Sequence, residues 1–211
     1  MPFSDPLADG PTIQRSTFEA LRQGMTLAGT LELISQAELG VPVVIFSYLN
    51  PILRYGVERF IRSAEELRIA GVLLTDLPAG SDPELESTLQ RSGMDLIRLV
   101  APTTRPERLR AAVDGAQGFV YLVARLGVTG ASASLDLELS ESVRRVRQAT
   151  PLPIAVGFGI STPEQARTVG GLADGIVVGS ALVDILGREG VSAARRFLGT
   201  LRDALDGRDL R

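Results

Sequence analysis

Two aspartates stand four residues apart in Pro2-Phe3-Ser4-Asp5-Pro6-Leu7-Ala8-Asp9-Gly10-Pro11, and two glycine-rich turns, Gly157-Phe158-Gly159-Ile160-Ser161 and Gly179-Ser180-Ala181, lie toward the other end of the chain. Carboxylates can hold or move a proton, and glycine lets backbone N–H groups come close to an anion. Composition narrows the chemistry further. There is no His, Cys, Trp or Lys, so all 22 basic residues are Arg. A lysine imine, a thiol nucleophile, a Ser-His-Asp triad and an ordinary zinc site are therefore excluded. Carboxylate, Tyr, Ser/Thr and Arg chemistry remains.

Each group also has a plainer reading. Two Pro and a Gly fix the path of the first segment, so Asp5 and Asp9 fit turn and N-cap positions as well as presentation of a carboxylate into a pocket mouth. The glycines at 157 and 159 fit a tight strand-to-helix turn. From residue physics alone both alternatives stay open.

The elements that must position these groups alternate regularly. Near-continuous apolar runs at 41–46, 71–76, 96–100, 119–123, 154–158 and 175–179 have strand length and the character of strands buried on both faces. Helical patterns cover 11–23, 27–39, 57–70, 82–92, 137–149 and 190–205, and a further helix is expected to begin near Ser180. Ser161-Thr162-Pro163-Glu164 and Thr104-Arg105-Pro106-Glu107 place a hydroxyl before Pro, a helix start. Alternation of this kind gives an open doubly wound sheet or a (β/α)8 barrel. Gly157-Phe158-Gly159 supplies only half of a dinucleotide fingerprint and follows the fifth strand. Barrels bind phosphate in the loops after their last two strands, which is where both glycine-rich turns fall.

At 211 residues, with no linker or low-complexity tract, the chain reads as a single domain. A formal charge of −3 argues against a nucleic-acid partner, and no apolar run approaches the length of a membrane span. With no leader pattern at Met1-Pro2-Phe3-Ser4 and no Cys, the expectation is a cytoplasmic protein.

The order of motifs, Pro2-Phe3-Ser4-Asp5-Pro6-Leu7-Ala8-Asp9-Gly10-Pro11, Tyr48-Leu49-Asn50-Pro51, Thr75-Asp76-Leu77-Pro78, Tyr121 through Gly130, Gly157-Phe158-Gly159-Ile160-Ser161 and Gly179-Ser180-Ala181, resembles the tryptophan synthase alpha chain family over essentially the whole chain. The resemblance implies a (β/α)8 TIM barrel. It also implies retro-aldol cleavage of indole-3-glycerol phosphate to indole and glyceraldehyde 3-phosphate, with indole passed to a beta chain in an alpha2beta2 tetramer. No cofactor and no metal is implied for this chain, since pyridoxal phosphate belongs to the beta partner. The absence of Lys agrees with this and disfavours another phosphate-binding barrel, indole-glycerol-phosphate synthase.

Residue by residue, the resemblance makes Asp9 the catalytic aspartate near the indole N–H. Tyr121 would line the site, and Thr129 would bond the aspartate from a loop hinged at Gly127 and Gly130. Gly130, Phe158, Gly159, Gly179 and Ser180 would hold the phosphate. Phe46 and Leu73 are expected to line the indole wall, with core packing as their plainer role. Asp5, Asn50 and Pro78 match positions at the beta-chain contact.

Against about 250 residues for a barrel, the sequence supplies strands three to eight, so strands one and two are expected to be missing. The family's principal acid/base, a Glu after strand two, would be missing with them. Two origins stay open: a start site set at an in-frame codon, or a real truncation. As written, the chain is expected to be weak or inactive as a lyase and to expose barrel edges. A non-catalytic module that binds a beta chain is the alternative.

Overall fold

Alternating short apolar strands and amphipathic helices give parallel sheet with helices packed on it. The computed structural model describes residues 1–37, 39–123, 133–157 and 159–207. Its contacts divide into two units, Met1–Leu99 with Ala111–Gly118, and Val100–Arg110 with Phe119–Arg211.

The first unit runs α1 (Pro11–Arg22), α2 (Leu27–Gln36), β1 (Val44–Ser47), α3 (Leu49–Tyr55), α4 (Val57–Glu66), β2 (Gly71–Leu74), α5 (Pro83–Gln90) and β3 (Asp95–Val100). Its strands are parallel, with Phe46 opposite Leu73 and Leu73 opposite Ile97. Side chains alternate across the sheet. Ile45, Val72, Leu74 and Leu96 therefore point one way, into a core completed by Leu27, Leu31, Ile52, Phe60 and Leu89 from the helices. Phe46, Leu73 and Ile97 share the other face. Every residue of β2 is buried, as its unbroken apolar run requires.

Several boundaries differ from the sequence reading, among them the ends of β2 at Leu74 and of α4 at Glu66. Residues 41–43 precede β1 rather than joining it, and Pro42 there has no N–H to give to a ladder. The unanticipated α3 follows Tyr48 directly; Pro51 is tolerated because it sits in the first turn, whose amides lack intrahelical acceptors. Gly56, at φ 95°, then turns the chain from α3 into α4.

α6 (Pro106–Ala112) straddles the two contact groups, and the second unit continues with β4 (Val120–Val123), α7 (Ala133–Ala149), β5 (Ile154–Gly157), α8 (Pro163–Gly170), β6 (Gly175–Val177), α9 (Ser180–Glu189) and α10 (Val191–Leu205). Its strands are parallel too, with Tyr121 opposite Ala155 and Gly157 opposite Val177. Asp174, just before β6, accepts from the Ile154 amide at 2.8 Å and from Arg147 at 3.1 Å, fixing where β5 starts against the neighbouring loop. α10 lies on α8, with Ala193, Ala194, Leu201 and Ala204 buried.

Candidate active site

The loop before α1 is shaped by its own backbone. The Leu7 amide donates to Asp5 O at 2.9 Å and the Asp9 amide to Pro6 O at 3.1 Å, while Gln14 Nε2 reaches back to Asp9 O at 2.9 Å. Gly10 is the residue that caps α1, and no side chain caps it. The Asp9 carboxylate is thus not spent on the helix start. It lies near enough to the phenol of Tyr48 for each to shift the other's pKa, and the phenol oxygen accepts the Ala8 amide at 2.9 Å.

This arrangement sets the electrostatics. Burial raises the pKa of Asp9 above the ordinary carboxylate range, with the Tyr48 hydrogen bond and the Met1 ammonium pulling it back only in part. Tyr48 is raised as well, first by burial, then by the neighbouring carboxylate working against the Ala8 amide. Its ring packs against Phe3 at 5.1 Å between centroids.

Beside Tyr48 opens a cavity of about 490 Å³, lined by Phe3, Asp5, Leu7, Ala8, Tyr48, Asn50, Thr75 and Asp76. Asp5, Asn50 and Asp76 are exposed on its rim, and Thr75 Oγ1 is buried with no partner within hydrogen-bond distance, although near enough to the phenol to lower its pKa. Asp76 Oδ1 accepts the Leu49 amide at 2.7 Å, so a loop after β2 supplies the cap that α3 lacks from its own sequence. Pro78 is exposed two residues further on. Asp5 and Asn50 therefore share one cavity, and Asp9 follows directly on its wall residue Ala8. Phe46 and Leu73 lie on one sheet face, Leu73 buried and Phe46 38% exposed.

In the second unit, Tyr121 projects from β4 on the side of Ala155 and Gly157, is 8% exposed, and has its pKa raised by burial. Gly159 takes φ 89°, the left-handed region that favours glycine. The two glycine-rich turns then part ways. At α8, Thr162 and Gln165 form a capping box, and Gln165 Oε1 also accepts the Ser161 amide at 2.8 Å, so these donors are already used. At α9, among the described residues, no side chain caps the helix and a Cβ on its N-cap Gly179 would meet nothing within 4 Å, while Ser180 is exposed. Of the two turns, only the second leaves an uncapped helix start facing open space.

Thr129, Gly130 and Phe158 lie outside the described residues. Sequence reasoning missed the roles of Tyr48 and Asp76, although both sit inside motifs it had singled out; the signal was Asp76 following a buried strand, opposite a helix that starts without its own cap. Among the described residues no three His, Cys, Asp or Glu side chains are grouped to hold a metal, and no helix is long and apolar enough to cross a membrane.

The family model for the tryptophan synthase alpha chain matches residues 1–201. Tryptophan synthase from M. tuberculosis in its aminoacrylate-bound form is 36% identical over 97% of this chain and 78% of that one, with a TM-score of 0.86. Tryptophan synthase subunit alpha from Campylobacter jejuni is 32% identical, covering 95% and 81%, at 0.86. A mutant alpha-subunit from the hyperthermophile Pyrococcus furiosus is 35% identical, covering 98% and 84%, at 0.83.

Proposed function

From the premise that the chain belongs to the tryptophan synthase alpha chain family, a family of lyases without a cofactor of its own, we propose that it acts on indole-3-glycerol phosphate in tryptophan biosynthesis. The reaction is a retro-aldol cleavage. A proton is added to the indole ring carbon that carries the glycerol chain, a proton leaves the adjacent glycerol hydroxyl, and that oxygen's electron pair forms the carbonyl as the C–C bond breaks. Indole and glyceraldehyde 3-phosphate result. Pyridoxal phosphate belongs to the beta chain, the proposed partner in an alpha2beta2 assembly.

The observation that carries this reading is the Asp9 carboxylate, free of helix capping and set beside the phenol of Tyr48. A carboxylate beside the indole N–H stabilises the positive charge that grows on the ring as it is protonated, and does so most where water is excluded. Tyr121, Phe46 and Leu73 supply apolar wall. Gly159, Gly179 and Ser180, with Gly130 and Phe158, serve the phosphate of the same substrate, and Thr129 bonds the aspartate. The six strands stand for the third to eighth of one barrel domain in a cytoplasmic enzyme. Proton-transfer catalysis of this kind is worth roughly 10²–10⁴-fold.

A second reading, a module that docks on a beta chain without cleaving substrate, is supported by the cavity whose rim carries Asp5, Asn50 and Asp76. Release of glyceraldehyde 3-phosphate, measured with and without a beta chain, separates the two. Cleavage abolished by Asp9→Asn supports the lyase, beta-chain binding with no cleavage supports the module, and neither activity refutes both.

A further inference from the structure

The first unit buries an ion pair that the cleavage reading does not use. Arg98 on β3 and Glu86 on α5 are 4% and 7% exposed and bonded to each other. β3 alternates, so Arg98 shares the helix-facing side with Leu96, an apolar setting in which a guanidinium has no independent reason to be. Its Nε is buried without a partner among the described residues, a further cost. Replacing such a pair by apolar groups is often neutral or stabilising, so stability alone gives a poor account of it.

What the pair holds is a loop. Arg98 Nη1 donates to Leu77 O at 3.4 Å, and Glu86 Oε1 accepts the amides of Gly80 at 2.8 Å and Asp82 at 3.3 Å. Three points between residues 77 and 82 are tied to two buried charges. Immediately before them, Asp76 caps α3 through Leu49, and Thr75 and Asp76 form the wall of the cavity beside Tyr48. The Glu86 carboxylate is thereby held below its usual range: burial works against ionisation, but the Gly80 amide, Arg98 and the Asp82 amide together outweigh it.

We propose that Glu86 and Arg98 are positioning residues for the cavity rim: by tethering residues 77–82 they keep Asp76 on the α3 amide and so set the shape of the surface offered to a partner. The docking half of this statement rests on the reading that a beta chain binds at this rim; the tethering half does not.

The test is amide hydrogen exchange at Leu49, Gly80 and Asp82, together with the Kd for a beta chain, in the 211-residue chain and in Glu86→Gln and the double variant Glu86→Leu/Arg98→Met. The double variant removes both buried charges and keeps volume, so its Tm should equal or exceed that of wild type. Its three amides should nevertheless exchange about tenfold faster, as expected when hydrogen bonds to charged groups are lost, and its Kd should rise by a similar factor. Glu86→Gln keeps an oxygen acceptor for the loop amides but leaves the buried Arg98 guanidinium without its counter-charge, so its Tm should fall below that of wild type while Gly80 and Asp82 still exchange more slowly than in the double variant. Wild-type exchange in the double variant overturns the tether. Faster exchange with an unchanged Kd overturns its role in docking. Equal losses in Glu86→Gln and the double variant overturn the assignment of the carboxylate oxygen as the anchor. If the wild-type chain binds no beta chain, the docking reading fails by itself, and the exchange rates still decide the tether.

Discussion

A Cβ placed on Gly157 would lie 2.6 Å from Cζ of Tyr121, and nearer still to the phenolic oxygen. Gly157 ends β5, and the absence of its side chain is what leaves room for the Tyr121 ring beside the adjacent strand. The same virtual atom stands 3.0 Å from Val177 Cβ on β6, so the ring cannot be spared by shifting β5 toward its other neighbour. Glycine at this position is thus a packing requirement set by a tyrosine 36 residues earlier in the chain.

Gly157→Ala should destabilise the protein by about 1–3 kcal/mol, the usual cost of overpacking. Placed on a Tyr121→Leu background the same change should cost clearly less, because the ring it collides with is gone. Thermal melts of the two single variants and the double variant give the coupling. Strictly additive losses would show that the ring and the glycine are independent.

Tyr48→Phe removes the hydroxyl beside Asp9 and the acceptor of the Ala8 amide together. The expected outcome is an Asp9 pKa higher than in the parent, since the phenol is the stronger of the two influences that lower it. A stability loss of about 0.5–1.5 kcal/mol should accompany it. Carboxyl chemical shifts followed against pH, beside a denaturant titration, measure both. An Asp9 titration unmoved by the change would show that the phenol does not act on the carboxylate.

The strands were legible in the sequence because runs such as Val72-Leu73-Leu74 stay apolar without alternation, as in the fully buried β2, and the same pattern marked β1 although Val44 and Phe46 there are exposed. Helix starts were legible where chemistry is local, as in Thr162-Pro163 with Gln165 three residues past the cap. α3 was not, because its first amide is satisfied by Asp76, 27 residues away, and local propensity contains no trace of such a partner. For the site, the motif showed that Asp9 was special but not why. Its freedom from capping depends on Gly10 taking the N-cap, and its pKa in part on a tyrosine 39 residues downstream. Glu86 and Arg98 read as ordinary members of a charged helix and a strand; only folding makes them a buried pair.

Asp9 should cost stability at neutral pH. Its folded pKa is raised above the unfolded value, chiefly by burial, so the folded state binds more protons between the two values and stability falls as pH rises through that window. Asp9→Asn removes the penalty. Its Tm should exceed that of the parent at pH 7, and the gain should shrink as pH is lowered below the unfolded carboxylate pKa. Glu86 and Asp174 behave oppositely: their pKa values are lowered, and their contribution is present above the unfolded value and lost as pH falls through the folded one. A Tm for Asp9→Asn below the parent at pH 7 would contradict the burial argument.

The uncapped start of α9 should be the part of the second unit that takes phosphate. An anion needs donors that are not already engaged, and α8 has committed its first amides to Thr162 and Gln165, whereas α9 begins at Gly179 with open space beside it and the exposed hydroxyl of Ser180 one residue on. Perturbation of backbone amide signals by inorganic phosphate should therefore centre on 180–182, since the Val183 amide already donates to Gly179 O at 3.0 Å, and spare 164–166. Ser180→Ala should weaken the interaction by roughly threefold to tenfold, the worth of one hydrogen bond to a charged group at an exposed site. Gly179→Ala should weaken it further by covering the approach to the amides, the added Cβ having no neighbour within 4 Å among the described residues. Phosphate shifts that appear equally at both helix starts, or that survive Gly179→Ala, would show that the anion is held by scattered arginines and not by this helix end.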